Sequence, residues 1–219
     1  EGRPVISQFL MKLTRRLERR QWKVNGWQLS RIPRRAANLD HVIDRALGYE
    51  DFHYPGIKVL MERMSGKEKL IHLHNLHGGY FDLRYLPRLC QLAPVVMTLR
   101  DAWLLSGHCA HSFDCERWKS GCGKCPDLTI YPAIKRDATA RNWRVKKEIY
   151  SHSQVYVVTP SRWLMNKVTE SILAPGTRIL RVIPNGVDQG IFSTGDKRAA
   201  RTDLGVDPEG IGFAFVANF

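Results

Sequence analysis

Four cysteines form the densest group of reactive side chains in this sequence. They follow one another with the spacing C-x5-C-x6-C-x2-C, as Cys109, Cys115, Cys122 and Cys125. A structural zinc ion takes four thiolate or imidazole ligands in tetrahedral geometry, and short C-x2-C knuckles close many such sites. Gly121 and Gly123 give the last two cysteines the backbone freedom that a knuckle needs. The spacing predicts a structural zinc site, which leaves no open position for catalysis.

Two disulfides, or reduced cysteines packed as small hydrophobic side chains, are the alternatives to zinc. No secretory signal pattern opens the chain, so we expect a reducing compartment, in which clustered cysteines are more often metal ligands. His108 or His111 could replace one cysteine as a ligand. Cys90 falls within a predicted helix and is expected to be buried.

A charged pair, Arg100 and Asp101, follows directly on an apolar run that predicts a strand over residues 95–99. Ligands in open α/β sheets bind beyond the carboxyl ends of the strands. An arginine there can clamp a phosphate or carboxylate, and an aspartate can bind sugar hydroxyls or orient the arginine. We therefore predict catalytic roles for both residues; a purely structural ion pair is the alternative.

A histidine and two glycines, His77, Gly78 and Gly79, follow the preceding predicted strand over residues 70–76. An imidazole at a strand end could act as a general base or bind a substrate hydroxyl or phosphate. The glycines would let the backbone approach a ligand closely. We predict that these residues and His108 line a substrate cleft; a histidine satisfied within the core is the alternative.

Ser161 and Arg162 stand where a helix is predicted to begin. A helix N-terminus with a serine cap and a neighbouring arginine can bind an anion. Simple capping of the helix by the serine is the alternative.

The predicted elements that position these residues alternate between strand and helix. Strands are predicted over residues 70–76, 95–99, 155–159, 179–183 and 211–216, and helices over 82–92, from 137 to about 151, and from 161 to before 175. This order predicts an α/β fold, in which a Rossmann-like parallel sheet carries helices on both faces and a cysteine-rich insert follows the second strand.

The charge is strongly positive and uneven. The formal net charge is +13, and residues 1–35 hold ten lysines and arginines against two acidic residues. Such a field attracts nucleic acid, anionic lipid or phosphorylated substrates, although a solvated basic face is the simplest explanation. Leu10, Leu13 and Leu17 recur at near-helical spacing, which suits a basic amphipathic helix on a membrane. No apolar run approaches the ~20 residues that a membrane span needs.

Several short motifs together resemble the family 4 retaining glycosyltransferases of GT-B fold, in the bacterial branch that builds exopolysaccharide, capsule or lipopolysaccharide. The matching segments are IHLHNLHGGYFDL (71–83), TLRDAWLLSGHC (98–109), CERWKSGCGKCP (115–126), YP (131–132), TPSRW (159–163) and IPNGVD (183–188). The resemblance covers about residues 70–219. It implies two Rossmann-like domains with a cleft between them.

The resemblance also implies how the domains divide. Residues 1–184 would form the N-terminal acceptor-side domain, without its expected first strand and glycine-rich loop. Residues 185–219 would form a linker and the first strand of a truncated donor-binding domain, so the fragment should be inactive. Asn185, Gly186 and Asp188 would shape the hinge, and Ser161 and Arg162 would face the donor.

The implied reaction transfers a sugar from a nucleotide-diphosphate sugar to a glycan or lipid-linked acceptor, with retention by front-face attack and no catalytic metal. Many relatives carry a histidine where this chain has Arg100, so the arginine would serve instead or the sugar would bind differently. We expect the protein in the cytoplasm, in contact with the anionic inner face of the plasma membrane.

Two other functions fit some of the same features. A zinc-stapled nucleic-acid-binding module would use the positive charge and the C-x2-C knuckle. However, aromatic residues are not interleaved with the basic run, so we expect no nucleic-acid partner. The second of these other functions is that of a non-catalytic subunit that partners a transferase.

Overall fold

The computed structural model describes residues 23–24, 27–28, 39–50, 52, 54, 56–64, 66–77, 79–207 and 209–215. The chain divides into two compact units, residues 1–184 and residues 185–219. Their assignment as acceptor-side and donor-side domains stays a prediction. The predicted basic helix in the first 20 residues lies outside the described residues.

A parallel four-stranded sheet organises the first unit, and it confirms the α/β prediction. Its strands are β3 (Ile71–His74), β4 (Val95–Thr98), β5 (Val155–Thr159) and β6 (Thr177–Val182), in the order β3-β4-β5-β6. The register pairs Leu73 with Met97, and Met97 with Val157. A separate antiparallel pair joins β1 (Lys23–Val24) to β2 (Trp27–Gln28).

Helices flank this sheet. They are α1 (Leu39–Leu47), α2 (Gly56–Arg63), α3 (Leu86–Leu92), α4 (Arg117–Ser120), α5 (Thr139–Ser151) and α6 (Arg162–Thr169). The central strands are apolar because helices cover them, as in parallel sheets generally. Val95, Met97, Val155 and Val157 are buried in the core. The edge strand β3 differs, since His72 and His74 point to an exposed face.

Two predicted elements differ from the observed ones. The helix predicted over residues 82–92 is a 3-10 turn, Leu83–Tyr85, followed by α3. Pro87 lies in the first turn of α3, where a backbone N–H would have no hydrogen-bond partner within the helix. The regular helix can therefore begin with this turn. The strand predicted over residues 211–216 is not observed in its described part, since residues 211–215 form no strand.

A long segment between β4 and α5, residues 99–138, carries the four clustered cysteines and has little regular structure. Helix α5 holds it against the sheet by buried side chains. The Tyr150 hydroxyl donates to the Leu104 carbonyl oxygen at 2.8 Å, and the Trp143 indole donates to the Trp118 carbonyl oxygen at 2.8 Å. These two hydrogen bonds from α5 thus hold the segment after β4 in place.

In the described part of the second unit there is a helix, α7 (Lys197–Asp203), whose first turn is capped by Asp196. Among the described residues, no helix is both long and apolar enough to cross a membrane.

Candidate functional site

The ends of β3 and β4 meet at a histidine–aspartate pair. His74 lies opposite Thr98 in the parallel register, and His77 and Asp101 each come three residues later. His77 Nε2 lies 2.6 Å from Asp101 Oδ2. Neighbouring parallel strands therefore deliver the two side chains to the same edge of the sheet.

Backbone and packing contacts orient this pair. Asp101 Oδ1 accepts a hydrogen bond from the Trp103 N–H at 2.9 Å. The His77 ring packs 5.4 Å from the Trp103 ring and 5.8 Å from the Tyr131 ring, measured between centroids. The His77 side chain is only 7% exposed. The pair is held in one geometry before any ligand arrives.

The other ring nitrogen of His77 has unused hydrogen-bonding capacity. Within the described part of the chain, His77 Nδ1 is buried and has no hydrogen-bond partner. When Nε2–H donates to the Asp101 carboxylate, Nδ1 of the neutral ring carries the lone pair. A buried polar atom without a partner is costly, so a ligand group that donates to Nδ1 would relieve that cost.

His77 lies in the wall of a cavity of about 590 Å³, called here the His77 cavity. Its wall is formed by His41, Val42, Arg45, Glu50, Tyr54, Leu76, His77, Gly79, Phe81, Trp103 and Pro132. Pockets for small molecules span roughly 300–1,000 Å³ and combine apolar walls with a few polar groups. The cavity is suited in size and lining to one or two sugar rings.

Glu50 contributes a carboxyl group to the His77 cavity. Its N–H donates to Asn142 Oδ1 at 3.0 Å, and the Asn142 amide donates to the Gly48 carbonyl oxygen at 2.9 Å. Gly48 has φ +73°, and a Cβ there would lie 2.0 Å from the Arg136 carbonyl oxygen, so only glycine fits. Burial raises the pKa of Glu50, and the positive charge of Lys146 opposes this rise.

Lys146 is fully buried beneath the loop that carries Trp103. Its Nζ donates to the carbonyl oxygens of Trp103 at 2.9 Å and Ser106 at 3.1 Å, and lies 3.8 Å from Glu50. It also lies 3.6 Å from the centroid of the Trp103 ring. Burial lowers the pKa of Lys146, and Glu50 opposes this decrease. The lysine ties the loop after β4 to helix α5.

The predicted cleft residues lie in different places. Arg100 is exposed at the end of β4, next to Asp101. Gly79 lines the His77 cavity with φ +86°, and Gly78 lies outside the described residues. His108 does not line the His77 cavity; it is buried among the cysteines.

Sequence reasoning missed Glu50, Tyr54, Trp103 and Lys146. Residues before 66 showed no clear pattern, and a lysine in a helix gives no sign of burial. Trp103 could have been found from its position two residues after Asp101, since ligands in open α/β sheets bind beyond the strand ends.

The clustered cysteines surround a second, much smaller cavity of about 20 Å³, called here the cysteine cavity. Its wall includes Cys109, Cys115, Cys122, Cys125 and His108. All the cysteines are free thiols, and burial raises the pKa of Cys122 to about 11. In the described residues, no three His, Cys, Asp or Glu side chains are arranged so that they could hold a metal ion as they stand.

The remaining predicted residues make local contacts. Ser161 caps α6, because its hydroxyl accepts a hydrogen bond from the Leu164 N–H at 3.3 Å. Arg162 is the exposed first residue of that helix. Asn185, Gly186 and Asp188 are exposed in the second unit, where Asp188 Oδ1 accepts from the Gly190 N–H at 2.9 Å. Their substrate-binding roles stay predictions.

Comparison with known proteins gives one informative likeness. Over 129 residues, 54% of this chain, the sequence is 31% identical to a protein of Escherichia coli strain K12 that is named as a colanic acid biosynthesis glycosyl transferase, WcaC. The chain spans about a third of that protein's length, since the matched part is 31% of it. No protein-family model matches the sequence. No solved structure matches it either.

Proposed function

We propose that this chain forms the acceptor-side part of a glycosyltransferase that acts in cell-surface polysaccharide synthesis. The enzyme would move a sugar from a nucleotide-diphosphate donor to a glycan or lipid-linked acceptor. The likeness to a protein named as a glycosyl transferase supports the class. The observation that carries the proposal is the His77–Asp101 pair, in which His77 lines a sugar-sized cavity and its buried Nδ1 lacks a partner in the described residues.

The finer classification follows the sequence motifs. We propose membership of the family 4 retaining enzymes of GT-B fold, with the parallel sheet as the acceptor-side Rossmann-like domain. The chain would then need a donor domain, most of which is not in these 219 residues, and would be inactive alone. Asn185, Gly186 and Asp188 would serve as the hinge, with Ser161 and Arg162 facing the donor.

The acceptor would bind in the His77 cavity. One acceptor hydroxyl would donate a hydrogen bond to His77 Nδ1, while Asp101 fixes the tautomer and the angle of the imidazole. Glu50 and Tyr54 offer further polar groups in the same wall. The main contribution of this site to catalysis would be alignment of the attacking hydroxyl, because good positioning of the reactants can lower the activation barrier of the transfer substantially.

Arg100 would act next to the acceptor, at the exposed end of β4. Its guanidinium would contact the reacting sugar or the departing diphosphate, whose growing charge it would stabilise. In a retaining front-face reaction the donor phosphate assists deprotonation of the acceptor hydroxyl. His77 Nδ1 would accept a hydrogen bond from a neighbouring hydroxyl of the acceptor and so hold the attacking hydroxyl in place.

The test is transfer by the full-length protein across a panel of nucleotide-diphosphate sugars. We expect one donor to be consumed, and we expect Asp101→Asn and His77→Gln to lower kcat/KM about 100-fold. Asp114→Asn, at an exposed aspartate, is the matched control and should change little. Lack of turnover with every donor would refute the transferase; unchanged kcat/KM in both site variants would refute the site.

The basic N-terminal region suggests where the enzyme works. We propose cytoplasmic placement with peripheral contact to anionic membrane, which would bring the cavity near a lipid-linked acceptor. Replacing Arg15, Arg16, Arg19 and Arg20 by glutamine should weaken binding to anionic liposomes. Equal binding by the variant and the unaltered protein would remove this part of the proposal.

A further inference from the structure

We propose that Cys109, Cys115, Cys122 and Cys125 bind one structural zinc ion in the cysteine cavity. The four residues span 17 positions of an irregular segment, yet all of them reach the wall of one cavity. Free cysteines packed independently as small hydrophobic side chains have no reason to converge in this way. This proposal does not depend on the function proposed above.

The cavity has the size of a single small atom. About 20 Å³ is just above the roughly 10–15 Å³ that one water molecule requires. Zinc bound to thiolates needs no more room, since the Zn–S distance is about 2.3 Å. Zinc binding would require the thiols to move closer together, because no three potential ligands in the described residues could hold an ion as they stand.

The backbone around the last two cysteines turns through three residues with positive φ. Gly121 and Gly123 have φ +154° and +137°, and Lys124 has φ +46°. The Gly107 N–H points at Cys122 Sγ at 3.3 Å. Backbone N–H groups directed at cysteine sulfur stabilise the thiolate that zinc requires.

His108 supports the site without serving as a ligand. It is buried, with Nδ1 3.1 Å from the Pro132 carbonyl oxygen and Nε2 3.5 Å from Cys125 Sγ. The ring therefore connects the Pro132 carbonyl oxygen to the Cys125 sulfur, which is the position of a group that supports and orients a metal ligand.

Zinc would also stiffen one wall of the His77 cavity. The His108 contact reaches Pro132, which lines that cavity, and the Ala110 N–H donates to the Tyr131 carbonyl oxygen at 2.8 Å. On the other side, the Cys125 N–H donates to Asp137 Oδ2 at 2.7 Å, just before α5. The ion would therefore link the loop after β4 to the start of α5.

The first test is the zinc content of the full-length protein, purified without chelator from zinc-supplemented medium. We expect about one zinc ion per chain, and an equal thiol count in denaturant with and without prior reduction. Cys122→Ser should lose the zinc. Cys90→Ser is the matched control, because Cys90 lies in α3 away from the cysteine cavity, and it should keep the zinc.

A second measurement avoids dependence on a variant that fails to fold. The unaltered protein, stripped by a chelator and given cobalt, should show the absorption bands of tetrahedral thiolate coordination. Protease should cut residues 107–137 faster in the stripped protein than in the zinc-bound one. No zinc together with no cobalt bands, or a thiol count that rises on reduction, would overturn the proposal.

A third variant tests the choice of ligands. His108→Ala should keep one zinc ion and lose about 10–100-fold in affinity, as expected when a supporting group is removed. Complete loss of zinc in His108→Ala, with zinc kept in Cys115→Ser, would overturn the all-cysteine ligand set.

Discussion

The His77 cavity and the cysteine cavity both border the segment between β4 and α5, but they differ in size and in chemistry. The first measures about 590 Å³ and is lined by His77, whose buried Nδ1 has no partner in the described residues. The second measures about 20 Å³ and is bordered by thiols and a buried histidine. The first has room for a sugar, the second for one ion. The comparison separates a site suited to chemistry from one suited to holding the segment together.

The largest expected effect tests whether His77 and Asp101 act as one unit. Each single variant should lower kcat/KM about 100-fold, and the double variant His77→Gln/Asp101→Asn should lose little more than either, since groups that act together are not additive. Steady-state kinetics of the four proteins measures this. A double variant reduced by the product of the two single effects would show that the residues act independently.

The next effect tests the buried lysine that joins the loop beyond β4 to α5. Lys146→Met should lower the free energy of unfolding by about 3–5 kcal/mol, because it leaves Glu50 and two buried carbonyl oxygens without their charged donor. Urea denaturation of the full-length protein measures the loss.

Lys147→Met is the matched control for that substitution. Lys147 is the exposed neighbour in α5, with Nζ 5.2 Å from the centroid of the Trp143 ring, and its loss should cost less than about 1 kcal/mol. Similar losses of unfolding free energy in the two variants would mean that the buried contacts of Lys146 do not stabilise the fold more than an exposed lysine does.

A smaller effect concerns the close packing beside the cysteine cavity. Gly107→Ala would place a Cβ 2.5 Å from the Thr139 carbonyl oxygen, so α5 and the loop must separate at a cost of about 1–3 kcal/mol. Gly195→Ala, where nothing lies within 4 Å, should be nearly neutral. Thermal unfolding of both variants measures the difference. An equally stable Gly107→Ala protein would contradict this close contact.

The smallest effect separates capping from ligand binding at Ser161. Ser161→Ala should cost about 1 kcal/mol, and Ser161→Asp should restore that stability because aspartate also caps a helix. If Ser161 faces the donor diphosphate, the aspartate variant should show a higher KM for the donor through charge repulsion. An unchanged KM in Ser161→Asp would limit the residue to capping.

The parts of the molecule that sequence predicted are those with short-range patterns. The alternation of apolar strands with helices predicted the parallel sheet, and Val155–Thr159 is a strand over the expected residues. The serine before Arg162 was recognised as a cap, since capping depends on residues three positions apart. The helix expected from residue 82 was wrong in its first turn, because Pro87 sets where the regular helix begins.

The candidate site was predictable only in part. His77 and Asp101 were each chosen from their positions after strands, and their contact at 2.6 Å depends on the parallel register of β3 and β4. Glu50 is held at the cavity by a hydrogen bond from its backbone N–H to Asn142, which is 92 residues away in the chain. Pairings between distant segments leave no periodic trace in a sequence, so no local pattern could have indicated them.

By itself, the sequence determined which side chains follow each strand and how closely the cysteines are spaced, because these depend on neighbouring positions alone. Only the tertiary structure decided that His108 lies with the thiols, that Lys146 is buried, and that the His77 cavity exists. The physical reason is that burial and cavity shape arise from packing between segments far apart in the chain.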